Sequence, residues 1–326
     1  MSPRAQLVVG VLLGAALIAF VSRKVEWLVV VATLRDADLR DLLRGLGAVL
    51  AFIAVKTLRW RLLIQPFSRI GTWTLLPAVF AGSAGNSLIP HAGELVRIAV
   101  ARRRVAVETS TLMGTIAIER MLDFATLLLI ALVMLVPAGS MTGAARTAIW
   151  MVIALGGGMA IMALFAAFRS ASILHWLEHG LAWLRPTLRQ RILIEARKGI
   201  EGFLSLRQPH LMFVVLALSI VQWLLIAATI LLSLRALDIS VGWAAVTTVL
   251  LLSVVGSMLP TAPGYIGTIQ AAFVLALTPF DITAVDAVSA SILYNALIVV
   301  PIWLAVVPYL PDYLRAMADL RRSGET

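Results

Sequence analysis

Glu119, Arg120 and Asp123 stand together in the middle of an apolar run that extends over 109–136. An ionised side chain at mid-bilayer costs about 2.5–3.5 kcal/mol on insertion scales, so such residues are functional candidates by default. Glu119 and Asp123 are spaced i, i+4 and share a helix face, while Arg120 is i, i+3 from Asp123 and can pair with it. Two chemistries fit this spacing: an ion pair that locks the helix to a neighbour, or a polar lining that holds a headgroup or carries protons. A second group follows a proline break, where Glu94 and Arg97 open a helical run behind Pro90 and Gly93, with Asn86 and His91 flanking the break. A helix start rich in free N–H groups attracts anions, and a guanidinium one turn later suits a phosphate; the alternative is a Glu94–Arg97 pair at the interface. Asn86 is suited to capping backbone, and His91 to capping a loop or titrating near neutrality. A third group is uncharged: Tyr265 and Gln270 follow the break at Pro260, Pro263 and Gly264, and Tyr294 and Asn295 come one helix later. Lys56 and Arg59, near the end of another apolar run, are expected to snorkel to the headgroups.

The composition says what must position these residues. Of 326 residues, 61% are apolar and 13% charged, with a mean hydropathy of +0.97. Soluble domains are about 25% charged, and no soluble core of this size hides so much apolar surface. Soluble enzymes and disordered chains are excluded. The +10 charge, from 27 basic against 17 acidic residues, then belongs to loops and anionic headgroups and not to a nucleic-acid interface. Cysteine is absent, which removes disulfides, thiolate nucleophiles and cysteine metal sites.

Apolar runs of the length a bilayer requires fall near 7–21, 43–64, 109–136, 147–168, 211–234 and 286–310. The first is read as an uncleaved span, since no small-x-small cleavage site precedes Arg23. Stretches 73–101 and 243–279 are interrupted midway by Gly85-Asn86-Ser87-Leu88-Ile89-Pro90 and by Pro260-Thr261-Ala262-Pro263-Gly264. Half-length segments that meet at such a break predict re-entrant hairpins. The expected fold is an all-α polytopic membrane protein, one domain over 1–326, with about six spans and two hairpins. The basic, amphipathic 169–208 segment is cytoplasmic by the positive-inside rule, which puts both termini inside. Its Leu174, Leu177, Leu181 and Leu184 suit the membrane surface.

The two broken segments resemble each other. Trp73 precedes Pro90, and Trp243 precedes Pro260, by the same interval, and Ser87-Leu88-Ile89-Pro90 lies against Ser257-Met258-Leu259-Pro260. Each hairpin stands between two spans, and the predicted topology inverts one relative to the other. Units 43–136 and 211–310 therefore read as inverted repeats, the mark of a secondary transporter whose substrate meets broken helices near the midplane. His175-Trp176-Leu177-Glu178-His179 matches an inverted zinc-protease pattern, but no recognisable downstream ligand completes it, so no metal is assigned. Gly156-Gly157-Gly158 is read as a packing point within a span.

Gly85-Asn86-Ser87-Leu88-Ile89-Pro90 with Gly93-Glu94-Leu95-Val96-Arg97, then Glu119-Arg120-Met121-Leu122-Asp123, then Pro260-Thr261-Ala262-Pro263-Gly264-Tyr265-Ile266-Gly267 together resemble the flippase-like domain family, also called the lysylphosphatidylglycerol synthase transmembrane region. The resemblance covers nearly the whole chain. In multiple-peptide-resistance proteins such a domain adjoins a soluble aminoacyl-transferase that lysinylates phosphatidylglycerol, and the membrane part moves the product between leaflets. Stand-alone members include bacterial proteins associated with hopanoid biosynthesis, and this chain is expected to be a stand-alone member. The resemblance implies a lipid translocase of the bacterial inner membrane, working without a cofactor, with Asn86, Gly93, Glu94, Arg97, Glu119, Arg120, Asp123, Pro260, Pro263 and Gly264 at its core. The family often carries a basic residue just after the first-hairpin proline, where this chain has His91. The expected substrate is an anionic or polyprenyl-type lipid; lipid-biosynthesis enzymes and a homodimer are further partners this reading allows. The alternatives are a membrane enzyme that modifies a lipid headgroup and a scaffold for a lipid-synthesis complex.

Overall fold

The computed structural model describes residues 25–89, 92–135, 186–201, 208–258 and 262–315 apart from 312, together with scattered positions of 147–185. His91, Pro260, nearly all of the first apolar run and most of the 147–168 run lie outside the described residues. Among those described, all regular structure is helical: α1 (Trp27–Arg35), α2 (Leu39–Ile64), α3 (Leu76–Leu88), α4 (Gly93–Arg102), α5 (Thr109–Leu135), α6 (Pro186–Glu201), α7 (Pro209–Arg235), α8 (Trp243–Ser257), α9 (Thr268–Leu277) and α10 (Ala284–Val306).

Side chains at the ends explain several boundaries. Asp38 caps α2, its Oδ1 accepting from Arg40 N at 2.7 Å, which starts the helix four residues earlier than the hydropathy alone suggests. Thr283 caps α10 by accepting from Asp286 N at 3.1 Å. Inside the apolar helices, hydroxyls turn back on the preceding turn, as in Thr57 to the Ile53 carbonyl (2.8 Å) and Ser219 to that of Val215 (2.9 Å). These two polar residues thus enter the interior with their donors paired.

Three helical stretches are long and apolar enough to cross a membrane: His210–Arg235, Pro263–Phe280 and Ala284–Tyr309. In the second, short 3₁₀ turns at Pro263–Tyr265 and Thr278–Phe280 extend α9 at both ends, so a segment expected as half a hairpin reaches the length of a span. Helices α2 and α5, of 26 and 27 residues, are about 39–40 Å long at 1.5 Å per residue. They are long enough to span, but ionised residues interrupt their apolar surface. The protein is a multi-pass membrane protein.

Helices α3 and α4 pack on each other as one helical pair, and α8 and α9 as a second. Helix α2 packs along α7. Other neighbours come in exchanged couples: α2 with α3 and α7 with α8; α3 with α10 and α8 with α5; α4 with α5 and α9 with α10; α2 with α5 and α7 with α10; α2 with α10 and α7 with α5; α1 with α10 and α6 with α5. Trp73, ahead of the first pair, and Trp243, the first residue of the second, are both exposed, as befits aromatic side chains at a membrane–water boundary.

Two large apolar clusters and two small ones form the interior among the described residues. Of the large ones, one gathers α7, α8, α9 and α10 around Phe273, Ile230 and Val249; the other gathers α2, α3, α4 and the end of α10 around Trp60, Ile64 and Leu75. Phe52 and Ile298 pack against both, so they mark the seam between them. Tyr313 ties the chain beyond α10 to α3 by donating to the Pro77 carbonyl at 2.9 Å. Helix α6 rests on α5, where Lys198 lies 3.6 Å from Glu108 and 3.3 Å from Glu195. The hydrogen bond to Glu195 raises the Lys198 ammonium above its ordinary pKa. Leu188 and Ile194 of α6 remain exposed.

Candidate functional site

The charges of three helices converge. Helix α2 carries Lys56 and Arg59 one turn apart, α4 carries Glu94 and Arg97 likewise, and α5 brings Glu119, Arg120 and Asp123. Glu119, fully buried, is held by two buried arginines, with Arg120 Nη2 also 3.6 Å from its Oε1. Arg97 grips it in bidentate fashion, Nη1 to Oε1 at 3.0 Å and Nη2 to Oε2 at 2.8 Å, and Arg59 Nη2 lies 3.1 Å from Oε1. Arg59, also without exposure, donates to Asp123 Oδ1 at 2.5 Å and to Ser219 Oγ of α7 at 2.9 Å. The Arg97 guanidinium stacks 3.8 Å over the Trp60 ring, and the Trp60 indole donates to Thr115 at 3.1 Å. Planar, delocalised arginine suits such buried, stacked, bidentate pairing far better than lysine.

The approach of α4 that makes this grip possible depends on glycine. A Cβ at Gly82 would stand 2.8 Å from the Cβ of Arg97, one at Gly85 would stand 2.8 Å from the Gly93 Cα, and one at Gly93 would stand 2.6 Å from Asn86 N. Asn86 closes the joint, its Oδ1 accepting from Gly93 N at 2.9 Å. Gly85→Val is therefore expected to destabilise the protein by about 1–3 kcal/mol, the usual cost of overpacking, read as a lower midpoint in a thermal-shift assay. An unchanged midpoint would show that the pair of helices can separate freely.

The second pair of helices turns differently. Gly264, Tyr265 and Gly267 all take positive φ, at 74°, 57° and 88°, and a non-glycine residue there costs roughly 1–2 kcal/mol. Asn295 of α10 holds the turn by donating to the Gly264 carbonyl at 2.9 Å, and Gln270 Oε1 accepts from Gly267 N at 2.7 Å. In each pair an amide side chain thus closes a glycine N–H. Pro263 begins the 3₁₀ turn, and Tyr294 packs on Phe273 with ring centroids 5.4 Å apart.

Between the two pairs lies a cavity of about 250 Å³ whose wall includes Phe52 and Ile298, the seam residues. Of the candidates named from sequence, Asn86, Arg120, Asp123, Tyr265, Tyr294 and Asn295 line it. Glu94, Arg97 and Glu119 stand behind that wall in the ion network, and Gly93 sits at the joint of the first pair. Gly264 and Gln270 face a neighbouring groove, which Asn295 also borders. Arg97, expected to meet a phosphate at a helix start, is turned into the protein and paired with Glu119 through both Nη atoms. The half-open cation is Arg120, whose side chain is 38% exposed while it lies 3.2 Å from Glu94 and 3.5 Å from Asp123.

Sequence reasoning missed several wall residues. Lys56, expected at the headgroups, lines the cavity beside Phe52; among the described residues it has no carboxylate within salt-bridge distance. Gln222, Trp223 and Ser253 also line it, and their Oε1, Nε1 and Oγ are buried without partners, as is Arg120 Nε. Buried polar atoms are seldom left so, and these four belong to residues of one cavity wall. Counting the whole cluster, Lys56, Arg59, Arg97 and Arg120 face Glu94, Glu119 and Asp123, four cations against three carboxylates. One positive charge is left over, on the side of the cavity.

Paired helices, a buried ion network beside them and a cavity between them characterise this helical membrane protein, and its family is one of membrane proteins involved in lipid handling. The chain belongs to the lysylphosphatidylglycerol synthase TM region family, whose model matches residues 7–305. No curated protein and no solved structure matches it.

Proposed function

We propose that the protein is a flippase for an anionic or polyprenyl-type phospholipid of the bacterial inner membrane. The observation that carries this reading is the surplus positive charge of Lys56 and Arg120 on the wall of a cavity between two helical pairs. An anionic headgroup would neutralise that charge, its oxygens meeting the Lys56 ammonium and the exposed part of the Arg120 guanidinium. The tails would stay in the hydrocarbon, so only the headgroup needs a polar path. Units 43–136 and 211–310 would act as inverted repeats that rock about α2 and α7, exposing the cavity to each leaflet in turn. The exchanged couples of helix neighbours support this relation. Six spans, two hairpins and both termini in the cytoplasm complete the arrangement, and lipid-synthesis enzymes would supply the cargo. No covalent chemistry and no cofactor is assigned to the protein.

The test is reconstitution into vesicles that contain a fluorescent anionic phospholipid. The protein is expected to speed equilibration between leaflets, and mass spectrometry is expected to recover the lipid unaltered. A rate no greater than that of empty vesicles for every anionic lipid tried would overturn the reading. A chemically changed headgroup would move it to the enzyme class.

A further inference from the structure

A second concavity adjoins the first. It is a groove of about 380 Å³ bordered by Trp27, Ile266, Ile292, Ala296 and Val300, with Asn295 and Val299 shared between it and the polar cavity. The partition between them is the strained turn at Pro263–Tyr265. Tyr265 faces the cavity, whereas Gly264 and Ile266, on either side of it in sequence, face the groove. Asn295 holds that partition through the Gly264 carbonyl at 2.9 Å. One side of a single turn is therefore charged and polar, and the other is hydrocarbon.

Size separates two possible uses. Pockets that enclose a drug-sized molecule run to about 300–1,000 Å³. A cavity near 250 Å³ suits a headgroup and leaves no room for its chains. The groove beside it is mainly apolar, and its Gln270 and Asn295 amides are engaged by backbone at the turn, so it offers little to a headgroup. The two fit one amphipathic molecule whose polar and apolar parts diverge at Asn295.

We propose that the groove between α1, the Pro263–Tyr265 turn and α10 is the tail site of the lipid whose anionic headgroup occupies the cavity, with Asn295 and Val299 at the junction. The proposal rests on the translocase reading and adds where the chain of the lipid lies. Acyl or isoprenyl carbon gains little by leaving the bilayer for an equally apolar groove. The groove therefore directs the tail without holding it tightly, and the headgroup supplies the affinity. A tail so placed can slide as the headgroup moves.

The full-length protein in nanodiscs is tested with phosphatidylglycerol that carries a diazirine midway along one tail. After irradiation, labelling is expected on Ile266, Ile292, Ala296 and Val300. Ala296→Trp, at an exposed position where bulk should not disturb folding, is expected to cut that labelling about tenfold. Saturable binding of a soluble short-chain phosphatidylglycerol is expected to stay within twofold in the same variant. Val300→Trp is the second variant and should behave alike. Labelling spread evenly over other exposed apolar positions such as Phe213 and Leu304, and insensitive to both variants, would overturn the tail site while leaving the headgroup reading intact. Absence of saturable short-chain binding in the wild-type protein would overturn the headgroup reading itself, and the tail site with it.

Discussion

Glu119→Gln is expected to destabilise the protein by about 3–5 kcal/mol, the usual cost of leaving a buried charge uncompensated. The reason lies in the arrangement around it. Glu119 has no exposure and faces Arg97 across two hydrogen bonds and Arg59 at 3.1 Å. Glutamine preserves the shape but removes the charge, so two guanidinium groups in a low-dielectric interior lose their shared partner and repel each other. Three helices, α2, α4 and α5, meet at this carboxylate, so the loss is not local. The measurement is a reversible unfolding titration in mixed micelles, or a thermal-shift midpoint where unfolding is irreversible. Arg97→Met combined with Glu119→Gln restores the balance of charge and is expected to recover part of the loss. With the Arg97→Met single variant measured as well, the cycle gives the coupling energy of the pair. A Glu119→Gln protein as stable as wild type would show that the network is not what holds these helices.

Lys56 makes a different prediction, in which transport changes and the fold does not. Lys56→Met removes the surplus positive charge and leaves three arginines against three carboxylates; Lys56→Glu turns the surplus negative. Because Lys56 lines the cavity and has no ion-pair partner among the described residues, neither change strands a buried charge. Losing one partly hydrated cation is expected to cost about 1.4 kcal/mol of headgroup interaction, which is tenfold in rate or affinity. Reversal is expected to exceed a hundredfold, since like charges replace opposite ones. Vesicle equilibration rates for an anionic and a zwitterionic lipid read the effect, and the anionic lipid should be the more affected. Wild-type rates for the anionic lipid in Lys56→Glu would remove Lys56 and its surplus charge from the recognition site.

Much of this architecture is written in the spacing of residues. The apolar runs near 43–64, 109–136, 211–234 and 286–310 correspond to α2, α5, α7 and α10, because continuous hydrophobic sequence of that length has few other uses. The breaks at 89–92 and 258–267 were legible from proline and glycine, which cannot continue a helix without cost. Arg97 was legible as an unusual charge but not as a buried one. Its direction depends on how closely α4 approaches α3, which Gly82 and Gly85 decide in three dimensions. Arg59 was hidden for another reason. Near the end of a span, arginine ordinarily reaches for water, and only the carboxylates of a helix sixty residues away draw it inward. A trace of this was present: Glu94, Glu119 and Asp123 outnumber Arg97 and Arg120, and a further cation is needed to bury them. Gln222 and Ser253 could not be singled out, since lone polar residues in apolar helices usually bond back to their own backbone, as Ser219 also does here.

The unequal depth of the arginines has a practical consequence for work in solution. Mobile ions screen charges they can approach, over about 8 Å at physiological ionic strength, but they do not enter a dry interior. Arg59 and Arg97 are at most 1% exposed, so dissolved salt reaches neither of them. Arg120 keeps 38% of its side chain accessible, and Lys56 stands beside it on the cavity wall. Ionic strength is therefore a dial that turns down headgroup attraction and leaves the scaffold alone, and a salt series can weigh recognition against integrity in one unmutated sample.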